Sequence, residues 1–109
     1  MDCTALDSID LPETLNSVDD QAFSGCSALY GISFPDGVTS IGVQAFEDCT
    51  KMMSAEIPGS VTHVGKWAFI NCPALAILSQ THYEPDGWDP DWNPDKRSVG
   101  WNWGSFKLY

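Results

Sequence analysis

The sequence repeats itself with a fixed step. Cysteines stand at positions 3, 26, 49 and 72, each 23 residues after the last. Pro12, Pro35 and Pro58 keep that step, as do the pairs Ala22-Phe23, Ala45-Phe46 and Ala68-Phe69. A constant period of this size marks a solenoid, in which one unit is too small to bury its own apolar face and buries it against its neighbours. The first full unit carries Leu6, Ile9, Leu11, Pro12, Leu15, Val18, Ala22, Phe23 and Cys26. The second carries Leu29, Ile32, Phe34, Pro35, Val38, Ile41, Ala45, Phe46 and Cys49. The third carries Met52, Ala55, Ile57, Pro58, Val61, Val64, Ala68, Phe69 and Cys72. A fourth begins with Leu75 and Leu78 and then departs, with Gln80 and Thr81 where an apolar residue and proline would stand.

Each unit reads the same way locally. The I-x-L/F/I piece alternates in and out, the period of a strand with one buried face. Proline then ends the ladder, having no N–H to donate. The V-x-x-I piece is a second short extended segment. Gly42 and Gly65 follow it, where a positive φ is expected. The first unit has Asp19 there, a residue that tolerates the left-handed region. The A-F-x-x-C piece reads as a single helical or 3-10 turn that drives phenylalanine inward, so Phe23, Phe46 and Phe69 should form a buried spine. The fold class that results is a mainly β solenoid with short strands.

The run L-x-x-I-x-[LFI]-P-x-x-V-x-x-I-G-x-x-A-F-x-x-C resembles the BspA-type leucine-rich repeat. The resemblance covers roughly residues 3–79, and Met52 and Ala55 depart from it. It implies a right-handed leucine-rich-repeat superhelix from a secreted or cell-surface array that binds proteins. Residues 1–80 are read as repeats and residues 81–109 as a C-terminal cap. That second stretch holds Trp88, Trp92, Trp101 and Trp103, and its V-G-W-N-W run reads as a short strand. The chain starts in the middle of a unit, which reads as a piece of a longer array or as a mature segment. Its first residues have neither the basic nor the apolar region of a signal peptide.

Charge narrows the partners. There are 15 acidic residues against 5 basic ones, a formal net charge of -10. Such a surface repels nucleic acid and anionic lipid and favours basic partners. No apolar run reaches the roughly 20 residues of a membrane helix. The first unit leaves a strand edge uncovered, which predicts either fraying before about Leu6 or a two-fold homodimer through that edge.

Candidate chemistry is sparse. Four cysteines allow two disulfides. Stacked equivalents lie about 4.8 Å apart, but their parallel Cβ directions disfavour the torsion of a disulfide. The expectation is therefore a ladder of buried thiols at Cys26, Cys49 and Cys72. Asp89, Asp91, Asn93 and Asp95 alternate like half of an EF-hand loop, but Pro94 and Gly100 stand where its glycine and glutamate belong, so a self-bonded turn is expected. No catalytic residue, cofactor or metal is assigned. His63 and His82 pair with no nucleophile in sequence. Binding is expected from a protein ligand on the outward positions of the strands and their borders: Asp10, Tyr30, Ser33, Met53, Glu56, Trp67 and Ile77. The rival reading is a structural spacer that presents a neighbouring domain.

Overall fold

The computed structural model describes residues 7–81 and 84–101. Among these, seven short strands and no helix appear: β1 (Ser17–Val18), β2 (Gly31–Ser33), β3 (Ser40–Ile41), β4 (Ser54–Ile57), β5 (His63–Val64), β6 (Ala76–Ser79) and β7 (Val99–Gly100). They form two parallel sheets, β1-β3-β5 and β2-β4-β6-β7, one on each of two sides of a β solenoid. β7 lies in the V-G-W-N-W run, where a strand was expected. The expected fraying concerns residues before about Leu6, which lie outside the described residues, as do Cys3, His82 and Trp103.

The core is the repeated apolar set. Phe23, Phe46 and Phe69 are buried and stack face to face, with centroids 5.2 and 5.3 Å apart and planes within 11° and 6°. Burying one such ring contributes about 1.5–3 kcal/mol from area alone. Met52 and Ala55, the two departures from the pattern, are fully buried in the slots of Leu29 and Ile32.

The A-F-x-x-C segments are not helical. They are successive turns, closed by bonds such as Ala22 N to Asp19 O (3.2 Å) and Cys26 N to Phe23 O (3.2 Å). Positive φ recurs at Gln21, Gln44 and Trp67, and again at Gly25, Asp48 and Asn71, so no helix can propagate through them. Gly42 and Gly65, expected to take positive φ, do not. They are glycine for room. A Cβ on Gly42 would come within 2.5 Å of Asp20 N, and one on Gly65 within 2.5 Å of Val43 N, both in the preceding turn of the solenoid.

The step of 23 fails once. β2 pairs with β4 as Ile32↔Ala55, but β4 pairs with β6 as Ala55↔Ile77, a step of 22. Leu75 keeps the slot of Met52, each N–H bonding the cysteine carbonyl three residues back at 3.1 Å. One residue is then missing before the strand. A shift of one exchanges the two faces of a strand. Ile77 and Ser79 therefore face the core at 0% exposure, and Leu78 turns outward. Ile77, expected on the outer face, is not there. The alternative register would bury Gln80, whose amide needs several partners. Burying Ser79 costs less, because its hydroxyl pairs with Thr81 Oγ1 at 2.7 Å.

The C-terminal segment closes the end of the stack. Trp88 and Trp92 are buried and meet edge to face at 4.8 Å. Trp92 meets Phe69, the last ring of the spine, edge-on at 6.3 Å. Their indole N–H groups donate to Val61 O (3.3 Å) and Glu84 Oε1 (2.8 Å).

Candidate functional site

The outer face of the β2-β4-β6-β7 sheet opens with a row of small residues beside two large exposed ones. Gly31, Ser54 and Ala76 sit side by side across three turns. Space at Gly31 is tight: a Cβ there would lie 2.9 Å from Ser54 Oγ and 3.2 Å from Ser54 O. Ser33, Glu56 and Leu78 form the next row. At the strand entrance, Met53 N donates to Tyr30 O at 2.6 Å, and Ala76 N to Met53 O at 3.0 Å. Tyr30 and Met53 are thus neighbours across one turn, 59% and 63% exposed. They are the most exposed large apolar side chains among the described residues.

The other expected site residues distribute unevenly. Asp10 and Ser33 are exposed and share a hollow of about 270 Å³ with Leu11 and Pro35. Glu56 is half-buried. Trp67 follows β5 of the opposite sheet and takes no part in that face; it is 37% exposed, with Lys66 Nζ 4.7 Å from its ring centre. Ile77 lies beneath the face rather than on it.

A second concave region went unread in the sequence. A hollow of about 700 Å³ lies along β1-β3-β5, lined by Ser17, Ser40 and His63 in a row and by Asp19, Asp20 and Asp89. Asp89 arrives from the C-terminal segment, held by its N–H on Val64 O at 2.8 Å. The outward row was legible from the period; the approach of Asp89 was not. Asp20 Oδ1 accepts from Val43 N (2.8 Å), and His63 Nδ1 shares a 2.9 Å contact with Thr62 Oγ1.

The D-x-D-x-N-x-D run spends its side chains on backbone. Asp89 Oδ1 accepts from Asp91 N at 2.8 Å. Asn93 brackets Arg97, accepting from its N–H and donating to its carbonyl, both at 2.9 Å. Asp95 Oδ2 accepts from Asn71 N at 2.8 Å. The bonds of Asp89 and Asn93 are the self-bonded turns expected, whereas that of Asp95 ties the segment to the third repeat.

The thiol ladder is present in part. Cys49 and Cys72 are buried free thiols, each donating to the phenylalanine carbonyl of the preceding turn, Phe23 O and Phe46 O, at 3.2 Å. The Cys72 thiol beside it, together with burial, pushes Cys49 far above the range in which thiols ionise at neutral pH. Cys26, expected to be reduced, is disulfide-bonded, to a partner outside the described residues. Adjacent turns lie within the Cα separation a disulfide allows, about 4.4–6.8 Å, so parallel side chains did not forbid it.

No helix among the described residues is long and apolar enough to cross a membrane. No curated protein and no solved structure matches the chain significantly. The profile described as BspA type leucine rich repeat region matches residues 1–82. Period, spine and sheet arrangement agree with that match: the chain belongs to the BspA-type leucine-rich repeat family.

Proposed function

We propose that this chain is a non-catalytic protein-binding module of a secreted or cell-surface protein, and that its partner docks across the small-residue row against the Tyr30–Met53 pair. The observation that carries this is the exposure of two large apolar side chains side by side, 59% and 63%, on rigidly bonded backbone. Tyrosine and methionine are enriched at protein interfaces, and a row of Gly31, Ser54 and Ala76 lets a partner approach closely. Asp10, Ser33 and Glu56 border it and favour a basic rim on the partner. A disulfide at Cys26 suits an oxidising, extracytoplasmic compartment. In the same reading, residues 1–80 are the repeat array and residues 81–109 its cap, supported by Trp88 and Trp92 covering the spine.

A spacer would leave the face uniformly small and polar; the Tyr30–Met53 pair favours binding instead. The test is an array of secreted and cell-surface proteins probed with the wild type, the Tyr30→Ala/Met53→Ala double variant and Trp67→Ala. A partner should lose about 10-fold or more in affinity for the double variant and little for Trp67→Ala. Binding that ignores the double variant, or no binding at all, overturns the reading.

A further inference from the structure

Cys26, Cys49 and Cys72 form one column through the core, one residue per turn, each at 0% exposure. We propose that Cys49 and Cys72 are a latent disulfide pair: a small-molecule disulfide converts them into a covalent link between consecutive turns, next to the bond already present at Cys26.

Three observations bring the pair together. Their thiols occupy the same place in two turns, each 3.2 Å from the phenylalanine carbonyl one turn earlier. The segments that carry them are neighbours, bonded through Phe46 N to Ala68 O (2.8 Å) and Asp48 N to Ile70 O (3.1 Å). Both side chains are also fully buried in the same core cluster. A backbone spacing of about 4.8 Å lies inside the range that disulfides span. Cys26, at the same place one turn earlier, is itself disulfide-bonded. The link then asks for a turn of the two side chains rather than a movement of the backbone.

The chemistry balances by exchange. One cysteine thiolate attacks a sulfur of the small disulfide, forming a mixed disulfide and releasing one thiol. The second cysteine, as thiolate, attacks the protein sulfur of that mixed disulfide and releases the second thiol. The two cysteines lose two electrons and two protons, and the reagent gains both. The closed solenoid withholds both thiols from solvent, so exchange proceeds through transient opening of the last turns and quickens in mild denaturant.

The test uses the folded chain, incubated with glutathione disulfide at low and moderate urea, then alkylated and digested. Cleavage after Glu13, Glu47, Lys51, Lys66 and Glu84 places Cys26, Cys49 and Cys72 on separate peptides, 14–47, 48–51 and 67–84. The expected product joins 48–51 to 67–84, forms faster with urea, and has a higher urea midpoint than the starting chain. Cys72→Ser, with its fold checked by circular dichroism, should leave Cys49 unlinked within the chain. The proposal falls if Cys49 and Cys72 both still alkylate after prolonged oxidation, or if the new link joins Cys26 to Cys49 instead.

Discussion

Two joints in the molecule do the same task by different chemistry. Between the second and third turns, Phe69 lies on Phe46 at 5.3 Å with planes 6° apart. There the N–H groups of Gln44, Phe46 and Asp48 reach the carbonyls of Lys66, Ala68 and Ile70. Between the third turn and the C-terminal segment, Trp92 meets Phe69 at 81°, edge to face. Trp67 N still finds a carbonyl, that of Asp91, but Asn71 N finds the Asp95 carboxylate. An internal joint is solved by copying the unit before it. The last joint cannot be, because one more copy would expose the same face again. It takes a wider ring turned on edge and a side-chain acceptor in place of a backbone one.

Several substitutions would break or sharpen that contrast. The largest effect is expected at the copied joint. Phe46→Ala removes a ring stacked on both sides and should cost about 3–5 kcal/mol in urea unfolding. Trp92→Ala, covering one side only, should cost less and leave hydrogen exchange around Phe23 slow. Equal loss of protection at both ends would mean that the two joints are not separable. Next comes the register slip. Ile77→Ala should cost about 2–5 kcal/mol, and Leu78→Ala under about 1.5 kcal/mol, because only Ile77 faces the core. The reverse order would restore the uninterrupted step of 23. Gly42→Ala should cost about 1–3 kcal/mol through collision with Asp20 N, read as a lower urea midpoint. The smallest effect is expected at Lys96, held at φ 56° in the C-terminal segment. Lys96→Gly relieves a left-handed conformation and should raise stability by under about 1 kcal/mol; a loss would show that its side chain matters there.

The period made most of the fold legible. Spine, core slots and both strand pieces follow from residues that recur. What the sequence concealed follows from what does not recur. A one-residue deletion after Leu75 is invisible while Leu75 and Leu78 are both apolar. It declares itself only through the relative cost of burying Ser79 or Gln80. The glycines were assigned by local conformation, whereas their reason is the backbone of the neighbouring turn. The disulfide at Cys26 depends on side-chain torsions that no sequence carries. At the candidate site, Tyr30 and Met53 were found because they sit next to inward positions. Asp89 in the second hollow was not, because long-range placement of a non-repeating segment has no period to read.

The alternating turn conformation gives one side of the solenoid an electrical direction. Along it, Gln21, Phe23 and Gly25 all donate to the next turn, as do Gln44, Phe46 and Asp48. Donors point toward the C-terminal end and acceptors toward the other, so the peptide dipoles add along the axis as they do in a helix. The Asp95 carboxylate at the donor end then acts like the acidic residue at a helix start, balancing aligned N–H groups. The carbonyls of Val43, Ala45 and Glu47 face the other way and accept from the turn before, so the ladder keeps one sense throughout the described turns. Any continuation of this ladder between molecules must run head to tail, the arrangement that leads to rings or filaments rather than to closed pairs.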